Sequence, residues 1–170
     1  NSLHTNEERR INEKEEEDNV KSRSVSLVNE HSICSNIREI VDEYLSKSRT
    51  KELAYYLNEN CDYGTTSLAF DECFNKFPKL YKKLCQEGVS LDNPVAHHKY
   101  SLSLIFSSNN NSESKKYDKF NEAKKHLEKA TEKWFNLSYF MLSRLLYEHY
   151  NKESLAFSAA QEGSMKGDNF

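Results

Sequence analysis

Apolar residues recur along this chain at helical spacing. Ile33, Ile37, Ile40, Val41, Tyr44 and Leu45 follow an i, i+4, i+7, i+8, i+11, i+12 rhythm. That rhythm predicts one buried helical face beginning near Ser32. A second helix is expected from about Thr50, as N-cap, through Leu53, Tyr56 and Leu57, ending before Tyr63-Gly64. A third carries Leu68, Phe70, Phe74 and Phe77. Pro78 suits the first turn of a fourth, with Leu80, Tyr81, Leu84 and Cys85 inward and Gly88 as its stop. Asn93 caps a fifth helix and Pro94 takes its first position. The tract from Ser107 to Ser114 is polar and without period, which predicts a mobile loop. Asp118 is expected to cap a sixth helix bearing Phe120, Ala123, Leu127, Ala130 and Trp134. Two more are expected at about 137–150 and 152–162, and Ser164 to Phe170 should begin another. No segment makes a convincing strand.

The pattern repeats. Phe77 to Gly88 closes on Leu84-Cys85-Gln86-Glu87-Gly88, and Lys152 to Gly163 closes on Ala159-Ala160-Gln161-Glu162-Gly163. A third copy, Ala123 to Trp134, keeps the stripe of Ala123, Leu127 and Ala130 but ends in Trp134. A partner helix also recurs, as Tyr100-Ser101-Leu102-Ser103-Leu104-Ile105-Phe106 and as Phe140-Met141-Leu142-Ser143-Arg144-Leu145-Leu146. Self-similarity on this scale predicts stacked helical hairpins. Ser103, Ser143, Ala130 and Ala159 would let helices approach closely, while Leu102, Leu142, Phe106 and Leu146 fill the layer between them. On the same logic Phe74, Phe77, Tyr81, Phe106, Phe120 and Trp134 are expected in the core.

Composition narrows the class. Only 4 Gly and 2 Pro occur in 170 residues, too few for Gly-rich phosphate loops or a sheet of many tight turns. Residues 1–24 carry Glu7-Glu8-Arg9-Arg10 and Lys14-Glu15-Glu16-Glu17-Asp18 with hardly an apolar residue, and are expected to be disordered or a solvated single helix, since they bury too little to offset ordering. The domains expected are this leader, an N-terminal helical cap over 25–76, and repeats over 77–170 that continue beyond 170. A net charge of −3 spread over both signs gives no general attraction to nucleic acid. No apolar run reaches the ~18 residues of a membrane span, so no direct membrane insertion is expected. Cys34, Cys61, Cys73 and Cys85 lie on or beside apolar faces without C-x-x-C spacing, which reads as reduced core thiols and a cytoplasmic location. The sequons at Asn110 and Asn136 keep the endoplasmic reticulum lumen as the alternative compartment.

Candidate chemistry is sparse. His97-His98 are adjacent, so on a helix they point about 100° apart and make a poor ligand pair. His126 and His149 stand alone in the sequence, and Glu43, Glu52, Glu59, Glu122 and Glu128 fall on solvated faces. No phosphate loop, nucleophile elbow or H-E-x-x-H run occurs. Catalytic residues, metal and cofactor are therefore expected to be absent. An alternative from another class is a small enzyme using a thiol such as Cys61 near the Tyr63-Gly64 turn.

A helix with small residues near its end, closed by Gly, then a helix with small, Leu, small and bulky residues at fixed steps, resembles the Sel-one-like repeat. That family is a relative of the tetratricopeptide repeat. Gly163 with Gly167, and Trp134 with Ser138, Leu142, Ser143 and Leu146, carry the likeness over residues 77–170. Asn93-Pro94 before a tyrosine-bearing helix, then a polar insertion, looks most like fungal regulators of chitin synthase. Trp134 and the serines at 103 and 143 depart from the family's Gly. The resemblance implies an all-α, right-handed superhelical stack of antiparallel hairpins, an α-solenoid. It also implies a non-catalytic scaffold or adaptor that holds a partner protein in a concave groove and so localises or activates it. Carried across, the groove positions are His97, Tyr100 and Leu104 in one unit and Phe140, Arg144, Tyr147 and Glu148 in the next. Ile37 to Leu45, followed by Glu52-Leu53-Ala54 and later Leu91 to Ala96, is similar to the helical domain by which translation-initiation scaffolds bind the initiation helicase. This is the rival reading.

Overall fold

Among the described residues, polar side chains at Asp62 and Asn93 cap two helix starts, and left-handed residues at Ser48 and Asp92 close two helix ends. α1 (Ile37–Ser46) stops where Ser48 takes the left-handed conformation, φ 56°. The Ser48 and Arg49 amides then donate to the Leu45 and Tyr44 carbonyls at 3.0 and 2.9 Å, the paired bonds of a Schellman end. α2 (Thr50–Asn60) follows, and Asp62 opens α3 (Tyr63–Lys76) by accepting from the Thr65 amide. α4 (Pro78–Ser90) starts on its proline and ends like α1. Asp92 has φ 55°, and the Asp92 and Asn93 amides donate to Val89 and Gly88 at 2.9 and 3.0 Å. Asn93 Oδ1 accepts from the Val95 and Ala96 amides at 3.0 and 3.3 Å and starts α5 (Pro94–Ser107), as its sequence predicts. One 3-10 turn (Ser108–Asn110) leads to α6 (Glu113–Glu132), then α7 (Asn136–Glu148) and α8 (Glu153–Met165).

This computed structural model describes residues 36–133, 136–150 and 152–166, and among them every regular element is helical. Arg38–Phe170 forms one unit, distinct from 1–37, and the packing below is that of this unit. The leader 1–24, Ile33, Cys34, Trp134, Gly167 and the helix expected to begin at Ser164–Phe170 lie wholly or mostly outside the described residues. Within the unit α2 packs on α4, and each helix from α3 to α8 packs on the next, with α3 also touching α5. Phe70 of α3, Leu84 and Cys85 of α4, and Val95 and Ala96 of α5 are among the buried residues of these helices. Phe120, Leu127, Leu142, Leu145, Leu146, Ala156 and Ala159 form the core of the later helices.

Several expectations are corrected. Gly88 does not stop α4; it lies buried inside the helix, where a Cβ would come 2.5 Å from that of Ala96. Its role is a close helix contact, and Asp92 provides the left-handed stop instead. Gly163 likewise sits inside α8. Thr50 is the buried first residue of α2, with Arg49 in the cap place and no side-chain cap bond. Tyr63 and Gly64 open α3. Asp118 lies within α6, which starts at Glu113, so only a short part of the tract from Ser107 is non-helical. That part is ordered by bonds: Ser108 Oγ donates to Ile105 O at 2.6 Å, and Asn111 Nδ2 to Ser107 O at 2.9 Å. Leu68, Phe74 and Phe106 are exposed rather than core. Among the described residues no helix is long and apolar enough to cross a membrane.

Candidate functional site

The burial pattern aligns three helices. Thr65, Thr66 and Ala69 of α3, His97, His98 and Ser101 of α5, and Ser138, Tyr139 and Leu142 of α7 are the buried residues at matching steps. This register is one residue away from the one that pairs Leu102 with Leu142. It places Ser67, Lys99 and Phe140 together, then Asp71, Ser103 and Arg144, then Phe74, Phe106 and Tyr147. The last row is aromatic in all three helices. Its members are 60%, 73% and 58% exposed, unusual for side chains of this size.

Six of these positions, Asp71, Phe74, Lys99, Ser103, Phe106 and Arg144, line two openings. A cleft of about 520 Å³ is walled by Asp71 and Phe74 of α3, Tyr81 of α4, and Lys99, Leu102, Ser103, Phe106 and Ser107 of α5. A smaller one of about 110 Å³ lies between α5 and α7, walled by Leu102, Ile105, Phe106, Met141, Arg144, Leu145, Glu148 and His149. Leu102 and Phe106 border both, and the two openings together are the candidate groove. Phe74 is held edge-on against Tyr81, centroids 5.2 Å apart. Lys99 Nζ reaches Asp71 at 2.7 Å across α5 and α3, and Arg144 Nε reaches Glu148 at 3.3 Å within α7. Exposed pairs of this kind add roughly 0–1 kcal/mol to stability. Paired in this way, the four side chains add no net charge at the openings.

The structure divides the residues chosen from sequence. Arg144 and Glu148 line the groove, and Phe140 and Tyr147 are exposed on the same helix. His97, Tyr100 and Leu104 are not with them. His97 is 5% exposed, with Nδ1 on His126 at 2.8 Å and Nε2 on Asp92 at 2.7 Å. Tyr100 is half-buried, edge-on to His126 at 4.9 Å, its hydroxyl raised above the ordinary range by burial and then by Glu122. Leu104 is half-buried. The α5 residues that line the groove include Lys99, Leu102, Ser103 and Phe106, of which sequence reasoning assigns Leu102, Ser103 and Phe106 to packing and gives Lys99 no role. Phe74 and Phe106 fall on apolar stripes, and a stripe facing a partner has the same period as one facing the core.

Other reactive groups are buried. His98 Nδ1 lies 2.8 Å from Ser138 Oγ, joining α5 to α7; burial, with Lys99 nearby, pushes the imidazole down to about 4. It is neutral at physiological pH and enclosed, which suits a structural bond. Burial pushes the Cys73 thiol up to about 11 and is the main cause holding Cys85 at about 12, so neither forms a ready thiolate at neutral pH. Among the described residues no group of three or more His, Cys, Asp or Glu could hold a metal ion. A broad opening of about 630 Å³ between α1 and α2, walled by Tyr44, Lys51, Glu52, Tyr55, Tyr56 and Asn60, lies off the aligned helices. No family model matches the chain, and no curated protein or solved structure matches it either.

Proposed function

We propose that this chain is a helical-repeat scaffold that binds a partner protein along α3, α5 and α7. In this reading α3/α4, α5/α6 and α7/α8 are successive hairpins of a right-handed α-solenoid of the Sel-one-like kind. The first helix of each hairpin supplies the groove and the second its backing. The observation that carries the reading is the row of Phe74, Phe106 and Tyr147, aromatic and exposed at one register position in three helices. Large aromatics are the side chains that most often anchor interfaces. The neighbour-to-neighbour packing from α3 to α8 also supports it, because a solenoid buries its core between adjacent repeats. The partner is held rather than transformed, and its localisation or activation follows from being held.

A photo-crosslinking residue placed at Phe106, compared with the same residue at exposed Phe157 of α8, tests the reading. The expected result is a discrete protein adduct through position 106 and none through 157. Equal labelling at both positions, or labelling only through 157, would place partner binding elsewhere.

A further inference from the structure

His97 of α5 and His126 of α6 face each other through Nδ1 atoms 2.8 Å apart. Each outer nitrogen looks toward a carboxylate: His97 Nε2 lies 2.7 Å from Asp92 Oδ1, and His126 Nε2 lies 3.8 Å from Glu122 Oε1. Two nitrogens at this separation make one hydrogen bond, so one bears the hydrogen and the other a lone pair. Asp92 assigns the roles. Its carboxylate accepts from His97 Nε2–H, which leaves His97 Nδ1 as acceptor and His126 Nδ1–H as donor. One further proton can settle on His126 Nε2, facing Glu122. Another would set two N–H groups head to head between two cations, where the side chains are only 7% and 16% exposed.

We propose that the His97–His126 contact is a one-proton lock between α5 and α6, a pH-sensitive seat that tolerates a single added proton and is broken by a second. The surrounding groups do not relieve the conflict. Lys133 of the α6 end pairs with Asp92 at 3.1 Å and adds positive charge. Tyr100 on α5, and Cys85 of α4 close to its hydroxyl, are both held in their neutral forms, chiefly by burial. Lys99 on α5 is engaged by Asp71 of α3, and α7 offers Ser138 to His98 rather than to this pair. Burial first, then His97, lowers the affinity of His126 for a proton, with Glu122 pulling the other way.

The sign follows from proton counting. Unfolded, both imidazoles protonate near the ordinary value of about 6.5, whereas the folded pair accepts one proton. Below that pH the unfolded chain binds one proton more. The contribution is therefore fully present above about 6.5 and declines as pH falls, by up to about tenfold in the folding equilibrium per pH unit. Because α5 also carries Lys99, Leu102 and Phe106, acid would loosen the groove as well. That consequence rests on the proposed function; the lock does not.

Histidine NMR titration of the whole chain from pH 8 to 5, with urea unfolding over the same range for wild type and His126→Gln, tests it. The pair should take up one proton while folded. Proton uptake on unfolding near pH 5.5 should be smaller by about one in the variant, a difference that excludes the separate contribution of His98. Two independent titrations near 6.5, or equal uptake in both proteins, would overturn the lock. If His126→Gln does not fold, the wild-type titration alone decides. Stabilisation by zinc ion that the variant abolishes would assign the facing nitrogens to a metal, and would also overturn it.

Discussion

Ser48 and Asp92 occupy the same backbone position, the left-handed residue after a helix end, and pose opposite design problems. A left-handed backbone costs a residue with a Cβ roughly 1–2 kcal/mol, which is why Gly is usual there. Ser48 is exposed, so nothing evident offsets that cost. Ser48→Gly should stabilise the fold by about 0.5–1 kcal/mol in urea unfolding, after allowing for the looser unfolded chain. No gain would mean that the α1–α2 turn has a different backbone. Asp92 earns its strained place through its side chain, which accepts from His97 Nε2 at 2.7 Å and meets Lys133 at 3.1 Å. Asp92→Gly should therefore destabilise where Ser48→Gly stabilises. Neither position was legible in the sequence, because Ser and Asp are common in loops and do not mark a left-handed residue as Gly would.

At the scale of helices, Gly88 shows how one residue type serves two purposes. Gly88→Ala in an ordinary helix interior would stabilise by up to about 1 kcal/mol. Here the added methyl would press on Ala96 at the α4–α5 crossing. Overpacking of this kind costs about 1–3 kcal/mol, so a net loss is expected in thermal or urea unfolding. A rise in stability would show that the crossing is looser than described. Between α7 and α8, Ser143 Oγ donates to Ala156 O at 2.9 Å, and Leu142 beside it is buried. Leu142→Ala should cost about 2–5 kcal/mol, and Ser143→Leu should also destabilise by crowding the hairpin. A silent Ser143→Leu would mean that α8 does not pack there. Existence and order of these helices were legible from apolar spacing and from Pro78, Asn93 and Pro94. Their ends were less so, since Gly88 and Gly163 mimic stops while serving as contacts.

For the molecule as a unit, the recurring Gln-Glu-Gly phrase falls in the last turns of α4 and of α8, and in both the Gly is buried inside the helix. The candidate groove was half legible. Arg144 and Glu148, chosen from the sequence, border the opening between α5 and α7. On α5 the reading slipped by one residue, taking Tyr100 and Leu104 for Lys99 and Ser103, and it added His97, which like Tyr100 meets His126 of α6. Hydrophobicity drove the slip. Leu102 and Phe106 look like core beside polar His97, His98 and Ser101, yet the polar set is the buried one, held by His126, Asp92, Ser138 and the His98 carbonyl.

The central claim is that exposed rings at one register position across three helices bind a partner. The most direct measurement is the affinity of the partner captured through position 106 for the combined variant Phe74→Ala, Phe106→Ala, Tyr147→Ala, against wild type, at equal folded concentration. The account predicts at least about thirtyfold weaker binding, the loss expected of a ~2 kcal/mol hot spot, with helix content kept and the melting temperature within a few degrees. Unchanged affinity in a folded variant would contradict it.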